Sequence, residues 1–162
     1  MAQEIERKFL VNHDGYKQGA LKALYCQGYL SSHKNRVVRV RIADNCATLT
    51  IKGLTVGAVR SEFEYPIPLK DAQALLELCE KPLMEKYRYI LSYEGMTWEV
   101  DEFLGDNEGL VIAEIELSSE EQDFQKPDWV GEEVTSDPRY YNANLIHTPF
   151  RSWIKGTGSP DS

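Results

Sequence analysis

Glu4, Glu6 and Lys8 occupy alternate positions of the opening run Glu4-Ile5-Glu6-Arg7-Lys8-Phe9-Leu10-Val11. In an extended strand, residues two apart share one face at about 6.5–7 Å, so these three charged groups line a single surface. Two like charges at that separation repel by roughly 2.4 kcal/mol at an effective dielectric of about 20. The habit recurs along the chain, in Arg39-x-Arg41, Lys52, Arg60-x-Glu62-x-Glu64, Lys86-x-Arg88, Glu99-x-Asp101 and Glu114-x-Glu116. Surface ion pairs return too little to offset so many like-charge neighbours unless a ligand or metal neutralises them. The pattern therefore asks for a partner.

The elements that must position these groups are strands. Eight candidates run over residues 3–11, 25–31, 36–43, 46–53, 58–66, 84–93, 96–104 and 110–117, separated by breakers such as Asp44-Asn45, Gly53 to Gly57, Glu94-Gly95 and Asp106 to Gly109. Joints this short imply antiparallel neighbours. Helices are confined to a weak segment near 15–24, to Asp71–Glu80 and to the tail. In the middle one, Ala72, Leu75, Leu76 and Cys79 recur at helical spacing and Asp71 is placed to cap the start. Asp137-Pro138 reads as a cap followed by proline at the first helical position.

Each strand separates two faces. Arg39 and Arg41 oppose Val38, Val40 and Ile42; Thr48, Thr50 and Lys52 oppose Leu49 and Ile51; Glu62 and Glu64 oppose Phe63 and Tyr65; Lys86 and Arg88 oppose Tyr87, Tyr89 and Leu91. Two geometries accommodate this. In one, the charged faces meet water over an apolar core, as in half-exposed antiparallel sheets. In the other, the sheet closes into a barrel with a polar interior, and eight strands enclose one small ligand. Periodicity does not choose between them.

Bulk properties set outer limits. The chain has 162 residues, 42% of them hydrophobic, and three Trp, which suits one folded domain over residues 1–155 with a disordered Gly/Ser/Pro tail over 156–162. A formal net charge of −8 argues against nucleic acid as a partner. Cys26, Cys46 and Cys79 show no CxxC or metal-like spacing and read as reduced thiols in a cytoplasmic protein. The acidic N-terminus has no apolar core of a secretory signal, and no apolar run is long enough for a membrane-spanning helix.

The ordered series of charged alternations from Glu4-x-Glu6-x-Lys8 to Glu114-x-Glu116 resembles the CYTH superfamily, also called triphosphate tunnel metalloenzymes. The segment Glu132-Glu133-Val134-Thr135-x-Asp137-x-Arg139-Tyr140-x-Asn142-x-x-Leu145 is similar to its short bacterial branch. The resemblance implies a mainly β, α+β fold: an eight-stranded antiparallel closed barrel with a charged interior and a few helices packed outside. It also implies a triphosphate and one or two divalent cations, Mg²⁺ or Mn²⁺, bound within. Arg forks and Lys point charges suit the polyanion, and carboxylates suit the hard cation. Carried over by position, Glu4, Glu6, Glu114 and Glu116 look like the metal acids. Lys8, Arg39, Arg41, Lys52, Arg60, Lys86 and Arg88 look like the phosphate cradle, with Lys8, Lys52 and Glu64 in catalytic roles. Arg60, Glu62, Glu99 and Asp101 either contact the ligand or pair among themselves.

The activity so implied is metal-assisted hydrolysis of a phosphoanhydride bond, inorganic tripolyphosphate being the favoured substrate. Relatives of the superfamily also hydrolyse thiamine triphosphate or cyclise ATP, as class IV type adenylate cyclases do. A non-catalytic polyphosphate or nucleotide binding module is the reading from another class. Homodimerisation is expected by family analogy alone. His13, His33 and His147 read as surface residues and Trp98, Trp129 and Trp153 as packing residues. Tyr29 reads as core, with contact to the tunnel as its alternative. Tyr141 and Ala143 stand where family relatives carry basic residues.

Overall fold

Alternating apolar and charged residues commit most of this chain to strands, and tight turns fold successive strands back on each other. The structure, a computed structural model, describes residues 3–153. It contains β1 (Gln3–Val11), β2 (Leu21–Ser31), β3 (Val37–Ala43), β4 (Cys46–Lys52), β5 (Val59–Ile67), α1 (Leu69–Leu78), β6 (Glu80–Tyr93), β7 (Met96–Phe103), β8 (Val111–Glu116), β9 (Val130–Glu133) and α2 (Asn142–His147). A further helical turn covers 150–153. The expected end of the domain at 155 and the expected tail of 156–162 lie outside the described residues.

The first eight strands run β5-β4-β3-β2-β6-β7-β8-β1, all pairs antiparallel, and β5 returns to β1 through Gln3↔Ser61 and Glu4↔Arg60. The sheet is thus a closed barrel, and closure puts all the charged faces on one side of the same wall. The ninth strand, unforeseen in the sequence, pairs with β1 outside this ring. Asp44 and Glu94 adopt positive φ at the tips of the β3–β4 and β6–β7 hairpins, as two-residue turns require.

Two local expectations need correction. The segment 15–24 is not a helix: Asp14–Lys17 forms one 3₁₀ turn, and from Leu21 the chain is strand, paired with β6 from Leu21↔Ile90 to Cys26↔Glu85. Pairing with a neighbouring strand overrides the weak helical pattern there. Helix α1 starts two residues before Asp71, with Pro68 as a cap that makes no side-chain hydrogen bond, so Asp71 serves in the first turn instead. Asp137 does cap the 3₁₀ turn Pro138–Tyr140, accepting from the Arg139 amide.

Three apolar clusters brace the barrel. Outside, α1 lays Ala72, Leu76 and Cys79 against Val40 and Ala47. Gly28 makes this approach possible, since a Cβ there would stand 2.7 Å from Leu83 and 2.9 Å from Cys79. Also outside, Phe9, Trp98, Val100, Ala113, Ile115 and Trp129 pack into an aromatic-rich belt. The third cluster closes one end of the interior. There Tyr29, Val37, Met84, Phe103 and Ile112 meet Val134, Tyr140, Ala143, Leu145 and Ile146 from α2 and its preceding turn. Ile51, Phe63 and Tyr65 on the outer face of β4 and β5 remain more than a third exposed, since α1 packs chiefly on β2, β3 and β4.

Candidate active site

Inside the barrel lies a cavity of about 470 Å³, in the size range of small-molecule sites. Glu4, Glu6, Lys8, Arg39, Arg41, Lys52, Arg60, Glu62, Glu64, Lys86, Arg88, Glu99, Glu114 and Glu116 all line it. Every residue that the sequence singled out for metal, phosphate or catalysis therefore reaches one cavity, and the outward-facing geometry is ruled out. Asp101 is 1% exposed and sits behind the lining as a counter-charge. It accepts from Lys86 Nζ at 2.7 Å, from Arg88 Nε at 2.8 Å and from Arg88 Nη2 at 2.9 Å.

The walls divide by sign. Acids concentrate on β1 and β8, where Glu6 faces Glu116 directly in register and Glu114 faces Lys8. Lys8 is bonded to Glu114 and lies 3.5 Å from Glu6, which holds its ammonium firmly protonated despite burial. That still leaves the acids crowded. Burial, with Glu114 and Glu4 close by, pushes the Glu6 carboxyl up to about 7, and Glu116 is raised by burial and by Glu4, Glu62 and Glu99. Glu114 goes the other way, held well below the usual carboxylate range by Lys8, Arg88 and Lys86 against the pull of burial.

The basic wall on β3 and β6 mirrors this strain. Burial, reinforced by the Arg88 and Arg41 guanidinium charges, pulls Lys86 down to about 7 although Asp101 opposes it. Burial with Arg39 and Arg88 nearby brings Arg41 down to about 9. Among the described residues no carboxylate is within ion-pair distance of Arg41. Its Nε donates to Gln27 Oε1 at 2.9 Å, and its guanidinium stacks 4.8 Å from the Tyr25 ring. Arg39 donates to Thr50 at 3.1 Å and to Glu64 at 3.4 Å, and its Nε is buried without a protein partner. Lys52 is shared between Glu4 at 2.9 Å and Glu62 at 3.6 Å. Arg60 spends its Nε on the Gly53 carbonyl.

Like charges pressed together on each wall, with Glu6, Glu116, Lys86 and Arg41 displaced toward their neutral forms while Glu114 and Arg88 are held charged, mark a cavity shaped for an anion on one side and a cation on the other. Hard carboxylate oxygens on β1 and β8 suit a divalent cation. Among the described residues no three acids converge closely enough to hold a metal unaided.

The sequence missed two features of the site. Gln27 and Asn142 form an uncharged bridge behind the basic wall: Gln27 Nε2 donates to Tyr29 Oη at 3.0 Å and to Asn142 Oδ1 at 3.4 Å, and Asn142 Oδ1 also accepts from Lys86 at 2.7 Å. Gln27 shares its face with Tyr25 and Tyr29, an alternation of polar and aromatic residues that a search for charge passes over. The apolar plug was also missed, although Met84, Phe103 and Ile112 share parity with Lys86, Asp101 and Glu114. Tyr29 is core and cavity lining at once, 2% exposed within the plug cluster. The three histidines are exposed, Trp98 and Trp129 are buried, and Trp153 packs at the plug's margin.

The CYTH domain family matches residues 2–147. An inorganic triphosphatase of Acetivibrio thermocellus is 54% identical over 154 residues, spanning 94% of this chain and 99% of that protein. An inorganic triphosphatase of Nitrosomonas europaea is 37% identical over 147 residues, spanning 88% and 95%. A crystal structure of an inorganic triphosphatase superposes with a TM-score of 0.64 at 33% identity, covering 88% of this chain and 96% of the other.

Proposed function

The chain belongs to the CYTH family, and on that footing we propose that it hydrolyses inorganic tripolyphosphate with the help of one or two divalent cations, Mg²⁺ or Mn²⁺. The observation that carries this reading is Arg41, a cavity-lining guanidinium with no carboxylate partner among the described residues, facing a wall of crowded acids across the same cavity. A polyanion neutralises the first and a metal neutralises the second. The two triphosphatase relatives at 54% and 37% identity support the substrate class.

In this reading Arg39, Arg41, Lys86 and Arg88 grip the phosphate oxygens, the arginines through paired N–H donors. Arg60, half committed to Gly53, contributes at the cavity's edge. Lys8 and Lys52, pinned by Glu114 and Glu4, present fixed positive charge where negative charge develops, so little reorganisation accompanies the reaction. Glu64 is anchored by Thr50 at 2.9 Å and offers its second oxygen to orient and deprotonate the attacking water. Glu4, Glu6, Glu114 and Glu116 are the acids that would hold the cation. A divalent cation supplies charge withdrawal from the phosphate oxygens.

The three free thiols support a reducing, cytoplasmic setting. No helix among the described residues is long and apolar enough to cross a membrane. The test compares products from tripolyphosphate, thiamine triphosphate and ATP, with Mg²⁺, with Mn²⁺ and with excess chelator. Fastest release of inorganic phosphate from tripolyphosphate, abolished by chelator, is expected. Cyclic AMP as the main product, or tight binding without turnover, overturns the reading.

A further inference from the structure

Gln27 is fully buried on β2, directly opposite Arg41 in the β2–β3 register. Arg41 only donates, so Gln27 must present its carbonyl oxygen to Arg41 Nε and its amide nitrogen to Tyr29 and Asn142. Lys86 Nζ donates to Asn142 Oδ1 at 2.7 Å, the contact that goes with the Asn142 oxygen turned inward. Both carboxamide orientations match the two cations they serve. Among the described residues, Lys8, Arg39, Lys52, Lys86 and Arg88 of the other cations that line the cavity are held by carboxylates, whereas Arg60 and the exposed Lys34 are not. Arg41 is held by an amide.

We propose that Gln27 is a positioning residue for anion binding: its neutral carboxamide aims the Arg41 guanidinium into the cavity without cancelling its charge. The inference rests on the triphosphate reading above and adds to it the device that keeps one cation free. A carboxylate at this position would make a stronger bond to Nε and would also neutralise the fork meant for phosphate. With Nε committed to Gln27 and the guanidinium carbon over the Tyr25 ring, the remaining N–H groups of Arg41 are left for the ligand. A purely structural Gln27 would contribute to folding and leave affinity alone.

The experiment uses the full chain with Gln27→Met, which removes the bond at similar volume, and Gln27→Glu, which keeps the bond and cancels the charge. Tripolyphosphate binding is titrated calorimetrically in chelator, kcat and KM are measured with Mg²⁺, and melting curves report folding. Each variant is expected to bind about tenfold more weakly, with KM raised more than kcat falls. In an Arg41→Gln background, Gln27→Met is expected to add less than about twofold, since its effect runs through Arg41. Should Gln27→Met not fold, Gln27→Glu carries the test. Folded variants that bind within about twofold of the unmodified protein overturn the inference, as does an undiminished effect of Gln27→Met when Arg41 is gone. If the unmodified protein does not bind tripolyphosphate, the triphosphate reading itself fails and takes the inference with it.

Discussion

Lys52 Nζ lies 2.9 Å from Glu4 Oε1, so β4 and β1 are tied through the barrel interior across the closing strand β5. The contact joins a residue of the proposed cradle to one of the proposed metal acids before any ligand arrives. Ligand binding must then redistribute an existing ion pair, which makes the pair both structural and functional.

Replacing Lys52 with Met leaves Glu4, 6% exposed, without its nearest cation. The loss is expected to cost about 1–3 kcal/mol of stability in the ligand-free protein, seen as a lower melting temperature. Phosphate release is expected to fall by about a hundredfold or more. A variant that melts and turns over like the original removes Lys52 from the site.

Asp101 anchors Lys86 and Arg88 together, and Asp101→Asn leaves buried Lys86 without its carboxylate and Arg88 with only Glu99 and Glu114. Breaking a buried pair in this way costs about 3–5 kcal/mol, or about 10 °C in melting temperature for a domain of this size. Tripolyphosphate should restore part of that loss, because its charge replaces the missing carboxylate. A melt insensitive both to the substitution and to the added anion contradicts this role.

Lys86 titrates near 7 in the ligand-free fold, against 10.5 ordinarily. A lysine depressed by folding makes the unfolded chain bind more protons between those values, so its contribution raises stability as pH climbs from about 7 to 10. Phosphate charge drawn close restores the ammonium, so anion binding at pH 8 should take up a proton. Calorimetric titration in buffers of different ionisation enthalpy measures this, with Lys86→Met as the reference. Equal proton uptake by the two proteins would rule Lys86 out as the group concerned.

Arg41 and Arg60 both lack a carboxylate partner among the described residues, and they differ in depth and in backbone attachment. Arg41→Gln is expected to raise KM for tripolyphosphate by about tenfold or more, and Arg60→Gln by clearly less. Steady-state kinetics on the two variants decides the order. A larger effect at Arg60 would move the phosphate site toward the β4–β5 turn.

Much of this was legible in the residues. The period-two charge pattern placed β3, β4, β5, β7 and β8 to within a residue or two, and it grouped on one face of each strand the charges that line the cavity, with Asp101 behind them. Charge on one face of a strand survives any register, so parity alone carries it. What periodicity did not carry was which face turned inward; that needed closure of β5 on β1, a pairing between segments remote in sequence. The helical reading of 15–24 failed because β6 recruits Leu21–Leu24 as strand, a tertiary effect. The Gln27–Asn142 bridge was hidden for a similar reason: an uncharged amide acquires meaning only from the cations folded around it.

Whether the barrel's two charged walls together hold a metal–triphosphate complex is decided by a crystal grown with tripolyphosphate and Mn²⁺. Phosphate density is expected against Arg39, Arg41 and Lys86, with anomalous Mn²⁺ signal between the phosphates and Glu4, Glu6 or Glu116. An empty cavity under saturating ligand, or Mn²⁺ and phosphate bound only on the barrel's outer surface, contradicts this binding mode.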